Sequence, residues 1–237
     1  MSVIKEKEMK KNLKKLHHKA ADFQYAHEEI SLGATSSYSL VHDPKHVLFV
    51  LSRYKFCAQM LQGKKRLLEL GCGEGLGLPL IAQGAQKVYG LEWEQRPLDS
   101  IHKRLSRFFP NIELICLDPT KQKLTIKVDA VYSVDFIEHI DGKRETFLMK
   151  NIIGCLPQDG VLITGTPNVT SKTYASYSSK VHHVNLKSAQ DLRKLMETYF
   201  ENVFIFGMND EVVHTGYAAM CHYLWAVAAG VKKSVRK

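Results

Sequence analysis

The sequence predicts an α/β fold built on a doubly wound, mostly parallel sheet, and three observations carry that prediction. Short apolar runs alternate with helix-period segments between residues 66 and 165, the pattern of strand–helix–strand units. One of those runs ends in a loop with glycine at every second position, Gly71, Gly73, Gly75 and Gly77. Such a loop between a strand and a helix lets a ligand lie against bare backbone at the end of an open sheet. The last two apolar runs have only a short connection between them, which calls for an antiparallel pair.

Taken in order, residues 3–24 place Leu13, Leu16, Ala20 and Phe23 at helical spacing beneath a lysine-rich face, predicting an amphipathic helix. Residues 31–43, rich in serine and threonine, read as a loop, with Tyr38, His42 and Asp43 as lid candidates. Pro44 suits a first helical position, so a helix is expected over 44–62. The core then alternates: strand 66–71, helix 75–84, strand 86–92, helix 96–109, strand 112–117, strand 129–134, helix 143–156, strand 160–165. Crossovers of this kind are right-handed and join parallel strands. Ser188, three residues before Asp191, predicts a capped helix over 189–199, followed by strands 202–208 and 217–228. The expected organisation is a helical cap over 1–62, a core over 63–230 counted as one domain with that cap, and a basic tail over 231–237.

The glycine loop narrows the ligand. A dinucleotide site uses Gly-x-Gly-x-x-Gly and offers backbone N–H groups to an anionic pyrophosphate. Here the spacing is Gly-x-Gly-x-Gly, and Glu69 precedes the first glycine by two residues. A carboxylate there would repel pyrophosphate and suit a ligand carrying an ammonium and a sulfonium. Glu92 ends the second strand 21 residues after Gly71, the spacing at which an acid meets ribose hydroxyls. Asp118 ends the third strand, and Asp135-Phe-Ile-Glu138-His139 follows the fourth.

Glu69-x-Gly71-x-Gly73-x-Gly75, Glu92, Asp118 and the Glu138-His139 pair together resemble the motifs of class I S-adenosylmethionine-dependent methyltransferases, over roughly residues 60–228. The resemblance implies a Rossmann-like seven-stranded sheet closed by a C-terminal antiparallel hairpin. It also implies S-adenosyl-L-methionine as cofactor, held by Glu69, Gly71, Gly73, Gly75, Glu92, Trp93, Asp118, Pro119 and Ser133. In that family Asp118's position often contacts the adenine amino group, although an acid before Pro119-Thr120 is equally a turn residue.

The bases that could deprotonate an acceptor lie in two segments. Asp135, Glu138 and His139 would share a face if their turn is helical. Residues 166–187 make a connection too long for a plain crossover, rich in hydroxyls and carrying His182 and His183. His139, His182, His183 and Asp135 are therefore the catalytic candidates. The Asp-x-x-Glu-His segment also resembles the Glu-x-x-Glu-His of ubiquinone-pathway O-methyltransferases and of small-RNA 3′-end 2′-O-methyltransferases, which implies Mg2+ as a further cofactor candidate. Either His182 or His183 could complete such a site.

Composition and absent motifs exclude other classes. No run of about 20 apolar residues predicts a transmembrane helix, and the lysine-rich start lacks a signal-peptide core. Five scattered cysteines without Cys-x-x-Cys spacing fit buried thiols of a reducing cytoplasm. The net charge of +9 resides almost wholly in residues 1–24 and 231–237, leaving a near-neutral core. Basic tails are a weaker nucleic-acid signal than a basic stripe. Asn/Asp-Pro-Pro-Tyr, the motif of base amino-methylation, is absent after the fourth strand, and no Pro-Cys nucleophile occurs. The expected activity is therefore O-methylation of a small acceptor, a saccharide, a phenol or another biosynthetic intermediate. A 2′-O-methyltransferase of RNA and a non-catalytic cofactor-binding subunit are the alternatives.

Overall fold

The computed structural model describes residues 3–25 and 29–236, with side chains for 8–19 and 29–236. The chain divides into two compact units, Met1–Ser31 and Leu32–Lys237. The first holds helix α1 (Val3–Tyr25). Met9, Leu13 and Leu16 are 50%, 57% and 65% exposed, so this part of the apolar stripe stays in solvent; Ala20 and Phe23 lie outside the described side chains.

The second unit opens with α2 (Ala34–His42) and α3 (Pro44–Met60). The loop expected over 31–43 is therefore mostly helix. Its serines and threonines favour capping and turn geometry when read alone, and the helix is held instead by partners distant in sequence. Asp43 ends α2 and caps α3 by accepting from the His46 N–H at 3.3 Å, with Pro44 in the first turn.

The strands are β1 (Arg66–Leu70), β2 (Lys87–Glu92), β3 (Ile112–Cys116), β4 (Ala130–Val134), β5 (Val161–Pro167), β6 (Phe200–Asn209), β7 (Val212–His214) and β8 (Tyr223–Val231). They form one sheet in the order β3-β2-β1-β4-β5-β8-β6-β7. The five strands from β3 to β5 are parallel, and β8 pairs antiparallel with both β5 and β6. β7 adds one strand to the seven expected, a three-residue edge paired with β6. The order reverses between β1 and β4, which opens a crevice at the carboxyl ends of those strands.

Alternation along the strands sorts the core to two faces. Ala130 and Tyr132 of β4 pack with Tyr54 and Cys57 of α3 and with Leu61 just beyond its end. In the same layer lie α4 (Leu78–Ala82) and α5 (Gln95–Leu105). Val131 faces the opposite layer, with Leu148, Met149 and Ile152 of α6 (Gly142–Cys155). Leu192 and Met196 of α8 (Ala189–Tyr199) belong there too. Ser188 caps α8 as its spacing predicts, its hydroxyl accepting from the Asp191 N–H at 3.1 Å. The connection after β5 contains a 3-10 turn (Val169–Thr173) and helix α7 (Tyr177–His182).

Candidate active site

The glycine loop turns through positive φ at Gly71 (70°), Gly73 (51°) and Gly75 (74°). Four of its amides are committed to protein acceptors. Gly71 N and Cys72 N donate to the Leu91 carbonyl at 2.9 and 3.0 Å, and Gly75 N to the Cys72 carbonyl at 2.8 Å. Gly73 N donates to Glu92 Oε2 at 3.1 Å. These four N–H groups are not free to form the anion nest that a pyrophosphate needs. A side chain at Gly73 would meet open space, which leaves the backbone bare on the cavity side.

Two cavities meet at this loop and share Gly71, Gly73 and Asp135 in their walls. One, of about 540 Å³, runs over Glu92, Trp93, Asp118, Pro119, Phe136, His139 and His182. The other, of about 790 Å³, lies beneath α2 and α3, between Ser36, Ser39, His46, Tyr54, Arg96 and Ser100. The first has a buried carboxylate at its wall in Glu92 and a 64%-exposed indole in Trp93. Acidic, aromatic and bare-backbone walls fit a nucleoside with a cationic tail, so the residues present suit S-adenosylmethionine.

Six of the nine expected cofactor residues line this cavity: Gly71, Gly73, Glu92, Trp93, Asp118 and Pro119. Asp118 is largely committed to its own turn. One oxygen accepts from Thr120 N (2.9 Å) and Thr120 Oγ1 (2.6 Å), and the other meets Lys121 Nζ at 2.8 Å. Burial alone would raise its pKa, and these partners hold it below the ordinary carboxylate value.

Glu69 corrects the reading from sequence. It is fully buried and borders neither cavity. Its oxygens accept from the Tyr54 and Tyr132 hydroxyls, each at 2.7 Å. Burial pushes its pKa up to about 7. Glu69 therefore joins α3 to the sheet. The argument against a pyrophosphate in this loop therefore rests on the four committed loop amides and not on the Glu69 charge. Ser133 also lies inside, bonded to the Thr164 hydroxyl between β4 and β5. Gly75 makes room for Ile101, whose Cγ1 lies 2.9 Å from where a Cβ would sit.

Beyond the loop, Asp135 occupies left-handed space, φ 53°, at the junction of the two cavities. Its Oδ2 accepts from Arg53 of α3 at 2.6 Å, and the Arg53 guanidinium stacks 4.0 Å above the Tyr223 ring. Burial pulls against the Arg53 charge, and Asp135, Tyr223 and Glu138 more than restore it. Asp135 Oδ1, Arg53 Nε, Glu138 Oε1 and the Tyr223 hydroxyl are buried without a hydrogen-bond partner.

Glu138 and His139 lie on a 3-10 turn (Ile137–His139). Glu138 is fully buried, its Oε2 accepting from Thr166 Oγ1 at 2.9 Å. Burial and then the nearby Asp135 charge push its pKa up to about 8. The His139 and His183 rings meet edge-on, centroids 4.9 Å apart. Burial, then His139, lowers the His183 pKa. His139 Nδ1 lies 3.2 Å from the His182 carbonyl, an oxygen that can only accept, so Nδ1 is the donor of that bond and Nε2 is left for other partners. Ligand atoms of Glu138, His139 and His183 all lie within 4.8 Å of one another. The structure thus selects His183 for this cluster. The His182 imidazole bonds back to the Ser178 carbonyl at 2.8 Å.

Tyr38 and His42 stack on each other, ring centroids 3.9 Å apart, outside both cavity walls. The roof is made by Ala34, Thr35, Ser36 and Ser39. Arg53, Tyr54 and Tyr223 escape the sequence reading because a buried arginine or tyrosine on an apolar face looks like ordinary core. The sequence offers only the helical spacing to Cys57, three residues after Tyr54 and four after Arg53.

Comparison with known proteins bears on the same region. A family model described as a methyltransferase domain matches residues 45–203. A probable S-adenosylmethionine-dependent methyltransferase of Mycolicibacterium smegmatis is 28% identical over 134 residues, covering 56% of this chain and 50% of the relative. One of Mycobacterium tuberculosis is 26% identical over 145 residues, covering 60% and 51%. The chain thus spans about half the length of the curated relatives it matches. Among solved structures, the N-methyltransferase NodS of Bradyrhizobium japonicum with S-adenosyl-l-homocysteine aligns at TM-score 0.64 and 14% identity, over 84% of this chain and 94% of NodS. The methyltransferase domain of bacterial CtHen1 aligns at TM-score 0.63 and 20% identity, over 76% and 98%. The glycine-loop cavity, the strand order and the family match converge: the chain belongs to the methyltransferase domain family, with the fold of class I S-adenosylmethionine-dependent methyltransferases.

Proposed function

We propose that this protein methylates a hydroxyl of a small acceptor, a saccharide, a phenol or a related biosynthetic intermediate. The observation that carries the reading is the junction of two cavities at Asp135, with the His139 imidazole in the wall of one of them. Bound along Glu92 and Trp93, S-adenosylmethionine supplies a sulfonium-activated methyl group, and the protein's task is alignment and proton removal.

The chain's own groups support that task. Glu92 accepts from Gly73 N and from Trp93 N (2.8 Å), which fixes its carboxylate at the wall where ribose hydroxyls would lie. Arg53 holds Asp135 at the junction. The His182 carbonyl fixes the His139 tautomer, so His139 can take a proton at Nε2, with His183 packed against it. The cavity beneath α2, walled by Thr35, Ser36, Ser39, Ser100 and His46, offers hydrogen bonds to a hydroxylated acceptor.

A second reading, metal-assisted transfer to a diol or an RNA ribose, is favoured by the cluster at Glu138. A buried carboxylate oxygen without a partner beside two imidazoles fits a divalent cation. Glu138, His139 and His183 would hold it, and it would lower the pKa of a coordinated hydroxyl.

Turnover of a hydroxylated acceptor panel, with wild type, His139→Ala and added chelator, tests both. A kcat loss of about 10²- to 10⁴-fold in His139→Ala with unchanged S-adenosylhomocysteine affinity supports the base role. Full activity of His139→Ala would overturn it. Loss on chelation, restored by a divalent ion, would move the assignment to the second reading.

A further inference from the structure

Helix α2 has no capping side chain of its own. Its N-cap residue, Gly33, sits at φ 91° and makes no side-chain bond. The orphan N–H groups of its first turn are taken by Glu74, some 40 positions along the chain: Ala34 N donates to Oε1 at 3.2 Å and Thr35 N to Oε2 at 2.7 Å. Glu74 stands inside the glycine loop, between Gly73 and Gly75. Arg104 of α5 secures the same point, its Nη2 donating to the Glu74 carbonyl at 2.5 Å. The φ of Gly33 favours glycine, and a Cβ there would stand 2.7 Å from Glu74 Oε2 and 3.1 Å from Arg104 Nη2, so it would have to push the capping carboxylate aside.

Ala34, Thr35, Ser36 and Ser39 of the helix so capped form the roof of the 790 Å³ cavity, and Glu74 is part of its wall. The loop that faces the cofactor therefore carries the cap of the helix that roofs the acceptor. We propose that Glu74 is a positioning residue coupling the two: cofactor in the glycine loop fixes Glu74, and the fixed carboxylate holds α2 closed over the acceptor cavity. Acceptor binding then follows cofactor binding. The coupling rests on the glycine loop being the cofactor loop.

Hydrogen–deuterium exchange of the full chain tests it, with S-adenosylhomocysteine as the probe. In wild type, saturating probe should slow exchange of residues 35–42. In Glu74→Ala the same amides should exchange about five- to tenfold faster, the size expected for loss of a helix cap, and the probe should no longer slow them. Amides of α6 and α8 should behave as in wild type, which a general loss of stability would not allow. Glu74→Gln keeps one acceptor oxygen and should fall between, and it serves if the alanine variant does not fold. Wild-type exchange of α2 in Glu74→Ala would overturn the proposal. So would bound probe without any slowing of α2 in wild type. If the probe fails to bind wild type, the cofactor reading and the coupling both fall. The cap itself would still show in the ligand-free difference between the two proteins.

Discussion

Glu69 stores a pH dependence in the core. Its pKa rises from an ordinary 4.5 to about 7 on folding, because burial disfavours the charge and two tyrosine hydroxyls only partly compensate. Between those values the folded chain binds more protons at Glu69 than the unfolded one, so the Glu69 contribution to stability falls as pH rises from about 4.5 to about 7 and is level above. The span caps the effect at roughly 3 kcal/mol. Glu69→Gln keeps an oxygen for one tyrosine and removes the titration. Urea unfolding at pH 5 and pH 8 should show a smaller difference in the variant than in wild type; an equal difference would contradict the assignment. The presence of an acid before the glycines is legible in the sequence, but its direction is not. Strand parity places Glu69 on the α3 face, and only the position of α3 shows that Tyr54 waits there.

At the scale of elements, Gly77 decides how α3 meets the loop. Its φ of −85° is open to any residue, yet a Cβ there would lie 2.0 Å from the Tyr54 ring. Gly77→Ala must therefore displace α3, at a cost of about 1–3 kcal/mol from overpacking. The shift should appear as a lower denaturation midpoint with an unchanged slope, and an unshifted midpoint would argue against this packing. The connection after β5 is pinned at its far end: Lys187 Nζ meets Glu145 Oε2 of α6 at 2.6 Å, and Asn185 N donates to the Glu138 carbonyl at 2.9 Å. That anchoring brings His183 to His139 and leaves the His182 imidazole turned back on α7. Two adjacent histidines in a polar segment carry no sequence signal for which one packs inward. The regular strands were readable because apolar runs of five or six residues have few other uses. Helix α2 was not, since its cap arrives from Glu74 and no local residue announces it. The three-residue β7 is too short to show a period.

For the molecule as a whole, sheet topology places the chemistry. The reversal of strand order between β1 and β4 puts the glycine loop, Glu92 and Asp135 at one crevice, and α2 and α3 cover it on the side of the larger cavity. This much followed from the order of strand-end residues in the sequence. The four committed loop amides and the half-buried Arg53–Asp135 pair are long-range products of folding and could not be read there. Among the described residues no helix is long and apolar enough to cross a membrane. The central claim is that the crevice is built for S-adenosylmethionine and not for a pyrophosphate. Calorimetric titration of S-adenosylmethionine, S-adenosylhomocysteine and NADH into wild type and Gly73→Val tests it most directly. Micromolar binding of the first two to wild type, no heat from NADH, and loss of binding in the variant is the predicted result. NADH binding by wild type, or S-adenosylhomocysteine binding that survives Gly73→Val unchanged, would contradict it.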